Sequence, residues 1–261
     1  MNNYGVKYGY TSSDELMGEV SIDKGQLMSG YTIGILVQDV RYPLIPGNVV
    51  NAYTYDYPVR MEIVEGANQS RVHTADRTLI PQIVEACEKM TKQGVRAIVG
   101  GCGYFGNFQK DVANAVDVPV YLSSIIQIPW IRVGLAPDDE IGIICADIDN
   151  ITDYLFEQCN VTSEERGKCQ IVGAGDMPEF SALLEGRGEF KNKTIRDELV
   201  NLALEHVREH PNIRAILLEC SDMPPYSAAI QKAVGLPVYD FITMIDFVHK
   251  AVAQKPYQGF I

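Results

Sequence analysis

The sequence predicts an α/β protein made of two similar lobes, each with a mostly parallel sheet. Two observations lead to this prediction. From residue 31 onward, short runs rich in β-branched residues alternate with longer helical patterns, and segments of the first half recur in the second. Such alternation is typical of βαβ units, in which helices connect and cover parallel strands. One unit used twice therefore accounts for most of the 261 residues.

Apolar runs of strand length and amphipathic segments of helix length follow one another along the chain. We expect strands at residues 31–38, 59–65, 95–101, 118–123, 140–146, 168–174, 213–219 and 236–240. We expect helices at residues 74–92, 106–116, 150–159, 193–209, 225–234 and 241–253. The last of these has apolar residues at helical spacing, which indicates a helix that closes a core.

The internal repeat defines the lobes. "TIGILVQD" starts at residue 32 and "EIGIICAD" at residue 140, an offset of 108, whereas "VRAI" at 95 and "IRAI" at 213 are 118 apart, as are "VPVY" at 118 and "LPVY" at 236. The difference indicates an insertion within the second copy, and such self-similarity marks duplicated architecture. We divide the chain into an N-terminal arm (1–30), a first lobe (31–125 with 241–261) and a second lobe (126–240).

Each copy places one cysteine just after its third strand. Cys102 and Cys220 both lie 17 residues before the proline of a Pro-Val-Tyr segment. Ligands of open α/β sheets bind beyond the carboxyl ends of the strands, so both thiols are candidates for chemistry in a cleft between the lobes. Each thiol also precedes a helical segment, whose N–H groups and dipole are expected to lower the pKa of the thiol.

Two thiols that face each other across a cleft can invert a stereocentre. One thiolate removes a proton from one face of a carbon, and the opposite thiol returns a proton to the other face. Cysteine suits both roles because its ordinary pKa, about 8.5, lies close to neutral pH. This scheme requires neither a metal nor pyridoxal phosphate, so we expect no cofactor.

Composition excludes several classes of function. The formal charge of −12 argues against binding to nucleic acids or anionic membranes, which requires a basic surface. The first thirty residues lack the apolar core of a secretory signal, and the chain has no run of 18 apolar residues. We therefore expect a cytoplasmic protein with a small-molecule partner and six reduced cysteines.

Two further motifs have simpler interpretations than the functions they suggest. Residues 101–106 fit the dinucleotide pattern G-x-G-x-x-G, but the next strand ends in serines and the second copy lacks the glycines. We expect these glycines to let the backbone approach a small ligand. "HVREH" at 206–210 resembles a zinc motif, but it lies at a helix end, where we expect both histidines to face solvent.

Candidate substrate-binding residues come from the turns that surround the two thiols. The loop at residues 38–58 follows the first strand, and in it Arg41 is either a bidentate clamp for a carboxylate or an ordinary surface arginine. Ser123 and Ser124 end the strand after Cys102 and either donate to an oxyanion or cap a helix. The full set of candidates is Asp39, Arg41, Asn48, Gly103, Tyr104, Ser123, Ser124, Ser221 and Asp222.

Three segments resemble the aspartate/glutamate/hydantoin racemase superfamily. They are the first-strand loop that starts "DVRYPLIPGNVV", the turn "GGCGYF", and "LECSDMPPYSAAIQKAVGLPVYD". The resemblance covers most of residues 31–245. It implies two Rossmann-like lobes related by a pseudo-two-fold axis, a cofactor-independent reaction with Cys102 and Cys220 as catalytic thiols, and a homodimer.

The residues after each thiol depart from the pattern of the glutamate racemases. In those enzymes the triplet that starts at the first thiol looks like Cys-Asn-Thr, and the triplet that starts at the second thiol looks like Cys-Thr-His. Here Cys102 is followed by Gly103 and Tyr104, and Cys220 by Ser221 and Asp222. The groups that would hold an amino-acid carboxylate are therefore missing, and Asp222 can instead hold a substrate ammonium.

We expect a racemase that acts on an amino acid or a cyclic relative such as a hydantoin. Two alternatives stay open at this point. The first is an isomerase or decarboxylase with a single essential cysteine, of the maleate isomerase or arylmalonate decarboxylase type. The second is a two-lobed module that binds a small ligand without catalysis.

Overall fold

Two four-stranded parallel sheets form the centre of the protein, as the sequence predicts. The computed structural model describes residues 9–20 and 27–261. The first sheet has the order β2-β1-β3-β4 and the second the order β6-β5-β7-β8, so the two lobes share one topology. The strands are β1 (Ile33–Val37), β2 (Val59–Ile63), β3 (Ala97–Gly100), β4 (Val120–Tyr121), β5 (Glu140–Cys145), β6 (Cys169–Gly173), β7 (Ile213–Leu218) and β8 (Val238–Tyr239).

Helices surround the two sheets. They are α1 (Gln69–His73), α2 (Ile80–Lys92), α3 (Gln109–Ala115), α4 (Ile128–Val133), α5 (Asp153–Gln158), α6 (Ser163–Arg166), α7 (Ser181–Leu184), α8 (Asn192–Glu209), α9 (Ser227–Val234) and α10 (Phe241–Val252). Each of the eight predicted strands and six predicted helices has a counterpart. The short helices α1, α4, α6 and α7 were not predicted, because one or two turns give too little periodicity to recognise.

The predicted helix at 74–92 is shorter than expected. Ala75 adopts a positive φ of 57°, which ends α1, and Asp76 accepts a hydrogen bond from the Thr78 N–H to cap a 3-10 turn. The long helix α2 begins only after that turn, at Ile80. This break places His73, the last residue of α1, next to the carboxyl ends of the strands.

The first sheet is covered on both faces, as expected for parallel strands. One face packs against α10, where Phe241, Ile245 and Val248 contact Ile33 and Ile35 in a buried cluster. A capping box starts this helix, in which Asp240 and Thr243 exchange hydrogen bonds. The chain thus returns to its first sheet at the end. The residue limits assigned to the lobes stay a prediction.

The predicted N-terminal arm lies partly outside the described residues. The described portion, 9–20 and 27–30, contains one 3-10 turn, Glu15–Met17. Across the described ranges, the structure contains no helix with the length and apolar character required to cross a bilayer.

The expectation that both histidines of "HVREH" face solvent is wrong for His206. This side chain is 4% exposed, and its Nε2 lies 3.1 Å from the Gln170 carbonyl oxygen. Helix α8 packs on the second sheet, where Gly142 has no side chain and leaves space for the ring. His206 is therefore part of the core of the second lobe.

Candidate active site

Both predicted thiols open onto one pocket between the lobes. The pocket, counted with the solvent at its mouth, has a volume of about 350 Å³, and it is lined by turns that follow the strands β1, β3, β5 and β7 and by residues of α1 and α7. The duplicated turns therefore bring Cys102 and Cys220 together, although 118 residues separate them in the chain. The predicted residues that line the pocket are Cys102, Gly103, Tyr104, Cys220, Ser221 and Asp222.

The environment of the thiols raises their pKa. Burial is the main cause for both, and the negative charge of Glu219 adds to it at Cys102 and that of Asp222 at Cys220. Backbone N–H groups of Tyr104 and Phe105 oppose this at Cys102, as the helical turn leads one to expect. The prediction of lowered thiol pKa values is therefore wrong, because burial and nearby carboxylates outweigh the backbone dipoles.

Cys220 has a carboxylate positioned to take its proton. Its Sγ donates to Asp222 Oδ2 at 3.6 Å, and the Asp222 N–H lies 3.5 Å from the same sulfur. Burial raises the pKa of Asp222 to about 6, although hydrogen bonds from Tyr42, Cys220 and Asn48 oppose the shift. An acceptor with this pKa is mostly ionised at neutral pH, and it can therefore draw the proton from the thiol.

The loop at residues 38–58 holds Asp222 in place. The Tyr42 hydroxyl lies 3.0 Å from Oδ1 and 3.2 Å from Oδ2 of Asp222, and the Asn48 amide donates to Oδ1. Asn48 is itself fixed, because its Oδ1 accepts the Val50 N–H at 2.7 Å. Asn48 therefore contacts Asp222 and is not among the residues that line the pocket, and its role in substrate contact stays a prediction.

A second carboxyl group, Glu219, was missed by the sequence analysis. It directly follows β7, and its side chain is 0% exposed. Neither carboxyl oxygen has a hydrogen-bond partner of good geometry among the described residues, and the nearby Ala146 N–H acts to lower the pKa of Glu219. Burial raises the pKa of Glu219 to about 8, with Asp147 and Asp222 adding to the shift.

The internal repeat contains a signal for Glu219. At the offset of 118, Glu219 corresponds to Gly101, so an acidic residue stands at the end of an apolar strand where the first copy has glycine. Charged side chains are almost never fully buried without a partner. A fully buried carboxyl next to a candidate catalytic thiol is therefore a candidate functional group.

Polar residues of the first lobe complete the pocket. Gln38, the first residue after β1, has a buried Nε2 that donates to no described residue. The His73 Nδ1–H donates to Asp147 Oδ2 at 2.8 Å, and the His73 ring packs on Tyr104 with the ring centroids 3.9 Å apart. The Tyr104 hydroxyl donates to the Asp147 carbonyl oxygen at 2.6 Å, so a first-lobe aromatic is anchored to the second lobe.

The other predicted binding residues lie outside the pocket. Asp39 is exposed and accepts the Gly66 N–H at 3.2 Å, and Arg41 is exposed. Ser123 caps the turn that follows it, with its hydroxyl 3.3 Å from the Ile125 N–H. Ser124 donates to the Leu218 carbonyl oxygen at 3.0 Å. Both serines therefore support the turns of the site without lining it.

The pocket is acidic. Its described lining residues include two carboxyl groups and two thiols but no lysine or arginine. Over the described ranges there is no group of three or more His, Cys, Asp or Glu side chains arranged to hold a metal ion. Thiol and carboxyl groups can remove and hold protons, and the ionised carboxylate of Asp222 favours a ligand with a positive charge.

Curated relatives of this chain are named as lyases. It is 30% identical to dimethylsulfoniopropionate lyase 5 of Emiliania huxleyi over 236 residues, which cover 87% of this chain and 46% of that protein. It is also 30% identical to the dimethylsulfoniopropionate lyase of Durusdinium sp. clade D over 237 residues, covering 87% and 77% of the two chains. The chain thus spans about half the length of the first relative. No protein-family model matches the sequence.

Solved structures share the fold at low sequence identity. Arylmalonate decarboxylase superposes with a TM-score of 0.54 at 14% identity, over 87% of this chain and 94% of that one. The allantoin racemase of Pseudomonas fluorescens gives 0.57 at 13% identity, over 88% and 100%. A glutamate racemase of Bacillus anthracis gives 0.54 at 12%, over 86% and 85%. These are structures of the aspartate/glutamate/hydantoin racemase superfamily fold, as the sequence resemblance implies.

Proposed function

Since the chain belongs to the family of the dimethylsulfoniopropionate lyases and has the fold of the aspartate/glutamate/hydantoin racemase superfamily, we propose that it is a lyase for sulfonium carboxylates. The reaction removes a proton from the carbon next to the carboxylate and expels a neutral sulfide from the following carbon. Removal of the α-proton is also the first step expected of a two-cysteine racemase. The second step differs, because the sulfide leaves where a racemase would return a proton to the carbon.

The observation that carries this proposal is the charge of the pocket. Two thiols and the carboxyl groups of Glu219 and Asp222 line it, without a lysine or arginine among its described lining residues. An anionic substrate without a positive group would meet repulsion there. A sulfonium carboxylate supplies its own positive charge, so it is compatible with both buried carboxyl groups.

Cys220 is the proposed base. Asp222 accepts its proton, and the resulting thiolate removes the α-hydrogen of the substrate. The electron pair of the C–H bond forms the carbon–carbon double bond, while the electron pair of the carbon–sulfur bond leaves with sulfur. For dimethylsulfoniopropionate the products are acrylate, dimethyl sulfide and one proton, which stays on Cys220 until it passes to solvent.

Racemisation is the second candidate, and one observation favours it. Cys102 and Cys220 come from equivalent turns of the two lobes and line the same pocket, as two opposed acid/base groups require. In a racemase the second thiol returns a proton before any group leaves. A substrate with a leaving group on the carbon next to the deprotonated one would undergo elimination. A substrate without such a group would be racemised.

Proton NMR in deuterium oxide tests the proposal. We expect the protein incubated with dimethylsulfoniopropionate to give the vinyl signals of acrylate and the methyl signal of dimethyl sulfide. The Cys87→Ser variant, which alters a buried thiol of α2 outside the pocket, serves as the matched control and should keep the activity.

The same experiment separates the alternatives. A panel of amino acids and hydantoins is incubated under identical conditions. Loss of the α-hydrogen signal from both enantiomers of a panel member, with no vinyl signal from the sulfonium compound, would contradict the lyase and support the racemase. Binding without either reaction would support a non-catalytic module.

A further inference from the structure

Glu219 has two acceptor oxygens that no described protein group occupies, in the pocket that holds both thiols. We propose that Glu219 is the specificity-determining residue of this pocket, with its carboxylate placed against the positively charged centre of an onium substrate. This inference rests on the proposed function and assigns its charge recognition to one residue.

Asp222 is the other carboxyl group of the pocket, but its oxygens are already occupied. The Tyr42 hydroxyl shares its one hydrogen between Oδ1 and Oδ2, Asn48 donates to Oδ1 and Cys220 donates to Oδ2. A carboxylate with three protein donors has less to offer a cation. No side chain of the described residues donates to Glu219, so its carboxyl group is the one available to the ligand.

The surroundings of Glu219 leave its charge uncompensated. The titratable groups that face it, from the turns after β3, β5 and β7 and from α5 and its end, are all acids or thiols: Cys102, Tyr104, Cys145, Asp147, Cys159, Cys220 and Asp222. A buried carboxylate without a counter-charge is costly. A substrate cation is therefore the group that would stabilise its ionised form.

Local structure fixes the position of Glu219. The Glu219 N–H donates to the Ile144 carbonyl oxygen at 2.9 Å, and the Ser124 hydroxyl lies 3.4 Å from the Glu219 carbonyl oxygen. Gly103 is required opposite, because a Cβ there would lie 1.7 Å from Glu219 Oε1. The glycine after the first thiol therefore makes room for a carboxyl group of the other lobe.

Gln38 supplies the complementary polarity. Its Nε2 is a buried donor without a described partner in the same pocket. A zwitterionic substrate would then bind in one orientation, because its carboxylate would contact Gln38 and its onium group would contact Glu219. The aromatic rings of Tyr42 and Tyr104 also line the pocket and can contact the methyl groups of a cation.

Titration calorimetry with two inert ligands tests the assignment on the full chain. Trimethylammonioacetate and 3,3-dimethylbutanoate have nearly the same shape and the same carboxylate, but only the first has a positive centre. Neither has a leaving group on a carbon β to its carboxylate, so neither can undergo the proposed elimination. We expect the wild-type protein to bind the onium compound at least about tenfold more tightly, which corresponds to about 1.4 kcal/mol.

The Glu219→Gln variant should bind both ligands with similar affinity, because the amide keeps the shape of the side chain and removes its charge. The Asp222→Asn variant should retain a preference for the onium compound. Gly103→Ala is an independent second variant, and it should lose the preference because the new methyl group displaces the carboxyl group. Thermal unfolding of each variant checks that it is folded.

Equal binding of the two ligands by the wild-type protein, or an unchanged preference in Glu219→Gln, would overturn the assignment. This outcome is independent of the lyase test, because no turnover is measured. A protein that cleaves a sulfonium carboxylate but shows no onium preference would refute the role of Glu219 alone. One that prefers the onium ligand but cleaves nothing would refute the lyase alone.

Discussion

Two cysteines occupy equivalent positions, yet their neighbours make them chemically different. Cys220 contacts the carboxyl group of Asp222, which can accept its proton. Cys102 has backbone N–H groups and the carboxyl of Glu219 near it. Duplication thus explains why there are two thiols. In the proposed reaction, the residues that differ between the copies make Cys220 the base and allow elimination in place of racemisation.

Serine substitution distinguishes the two thiols. We expect Cys220→Ser to lower kcat for cleavage of dimethylsulfoniopropionate by at least about a hundredfold, since loss of a general base typically costs that much. Cys102→Ser should lose less than about tenfold, because elimination requires no second proton transfer. Rates are measured as acrylate formed, with Cys87→Ser as the control. Equal losses at both thiols would contradict this assignment and favour a two-thiol reaction.

Glu219 should make stability fall as the pH rises. Its pKa in the folded protein is about 8, above the ordinary 4.5, so between these values the folded protein keeps a proton that the unfolded chain has lost. Stabilisation from that proton is fully present below about pH 4.5 and is lost as the pH passes 8. Between pH 6 and pH 9, the free energy of unfolding of the wild type should therefore fall by about 3 kcal/mol more than that of Glu219→Gln.

Urea unfolding at pH 6 and pH 9 measures this effect. Glu189→Gln, which alters an exposed glutamate, is the control and should follow the wild type at both values. If the free energy of unfolding of Glu219→Gln drops between pH 6 and pH 9 as steeply as that of the wild type, another group is responsible.

Among the elements, the loop at residues 38–58 has the clearest influence on the chemistry. It crosses from the first lobe to contact Asp222, and its own structure is fixed by a 3-10 turn that Asn51 caps. Its sequence shows many polar residues after a strand, which predicts a loop near the site. It does not show that Tyr42 and Asn48 point at Asp222 while Arg41 points to solvent.

Removing one loop donor should shift the pH dependence of the reaction. Asn48→Ala takes a hydrogen bond from the Asp222 carboxylate, so the pKa of Asp222 rises and more base is needed before it can accept the proton of Cys220. A hydrogen bond to a charged group is worth about 1.5–3 kcal/mol, which corresponds to about one to two pH units. The acid limb of the kcat profile should move upward by that amount.

Asn51→Ala provides the matched control for this loop. Asn51 donates to the Leu44 carbonyl oxygen at 2.8 Å and has no contact with Asp222. The Asn51→Ala variant should change the free energy of unfolding but leave the acid limb of the kcat profile at the same pH. A similar shift in both variants would mean that the loop acts through its conformation and not through the hydrogen bond to Asp222.

Hydrogen bonds next to the pocket join the two lobes of the molecule. Ser124, which follows the last strand of the first sheet, donates to the Leu218 carbonyl oxygen in the second. Tyr104 and His73 make similar contacts with Asp147. These bonds join the two sheets beside the pocket that both thiols line, so the pocket is a property of both lobes together. A homodimer and a cytoplasmic location stay predictions.

Ser124→Ala should weaken the junction between the lobes. We expect the free energy of unfolding to fall by about 1–3 kcal/mol, since a buried carbonyl loses its donor, and KM to rise because Glu219 loses support. Ser123→Ala removes a turn cap on the same segment and should destabilise the protein without raising KM. Urea unfolding and steady-state kinetics measure both. An unchanged KM in Ser124→Ala would contradict the proposed support.

The sequence by itself determined the eight strands, the two-fold repetition and the position of both thiols after equivalent strands. These features are local: apolar periodicity defines a strand, and a repeated segment folds in the same way twice. Resemblance of the turns around Cys102 and Cys220 to a known superfamily was enough to anticipate the sheet architecture and the shared pocket.

Only the tertiary structure decided which groups act on the thiols. The pKa of each thiol depends on burial and on carboxylates brought near by folding, so its rise could not be read from the helical turn that follows. Contacts such as Tyr42 with Asp222 join residues 180 positions apart. Glu219 was visible in the repeat, but its lack of partners, which makes it a candidate for substrate recognition, is a property of the packed interior alone.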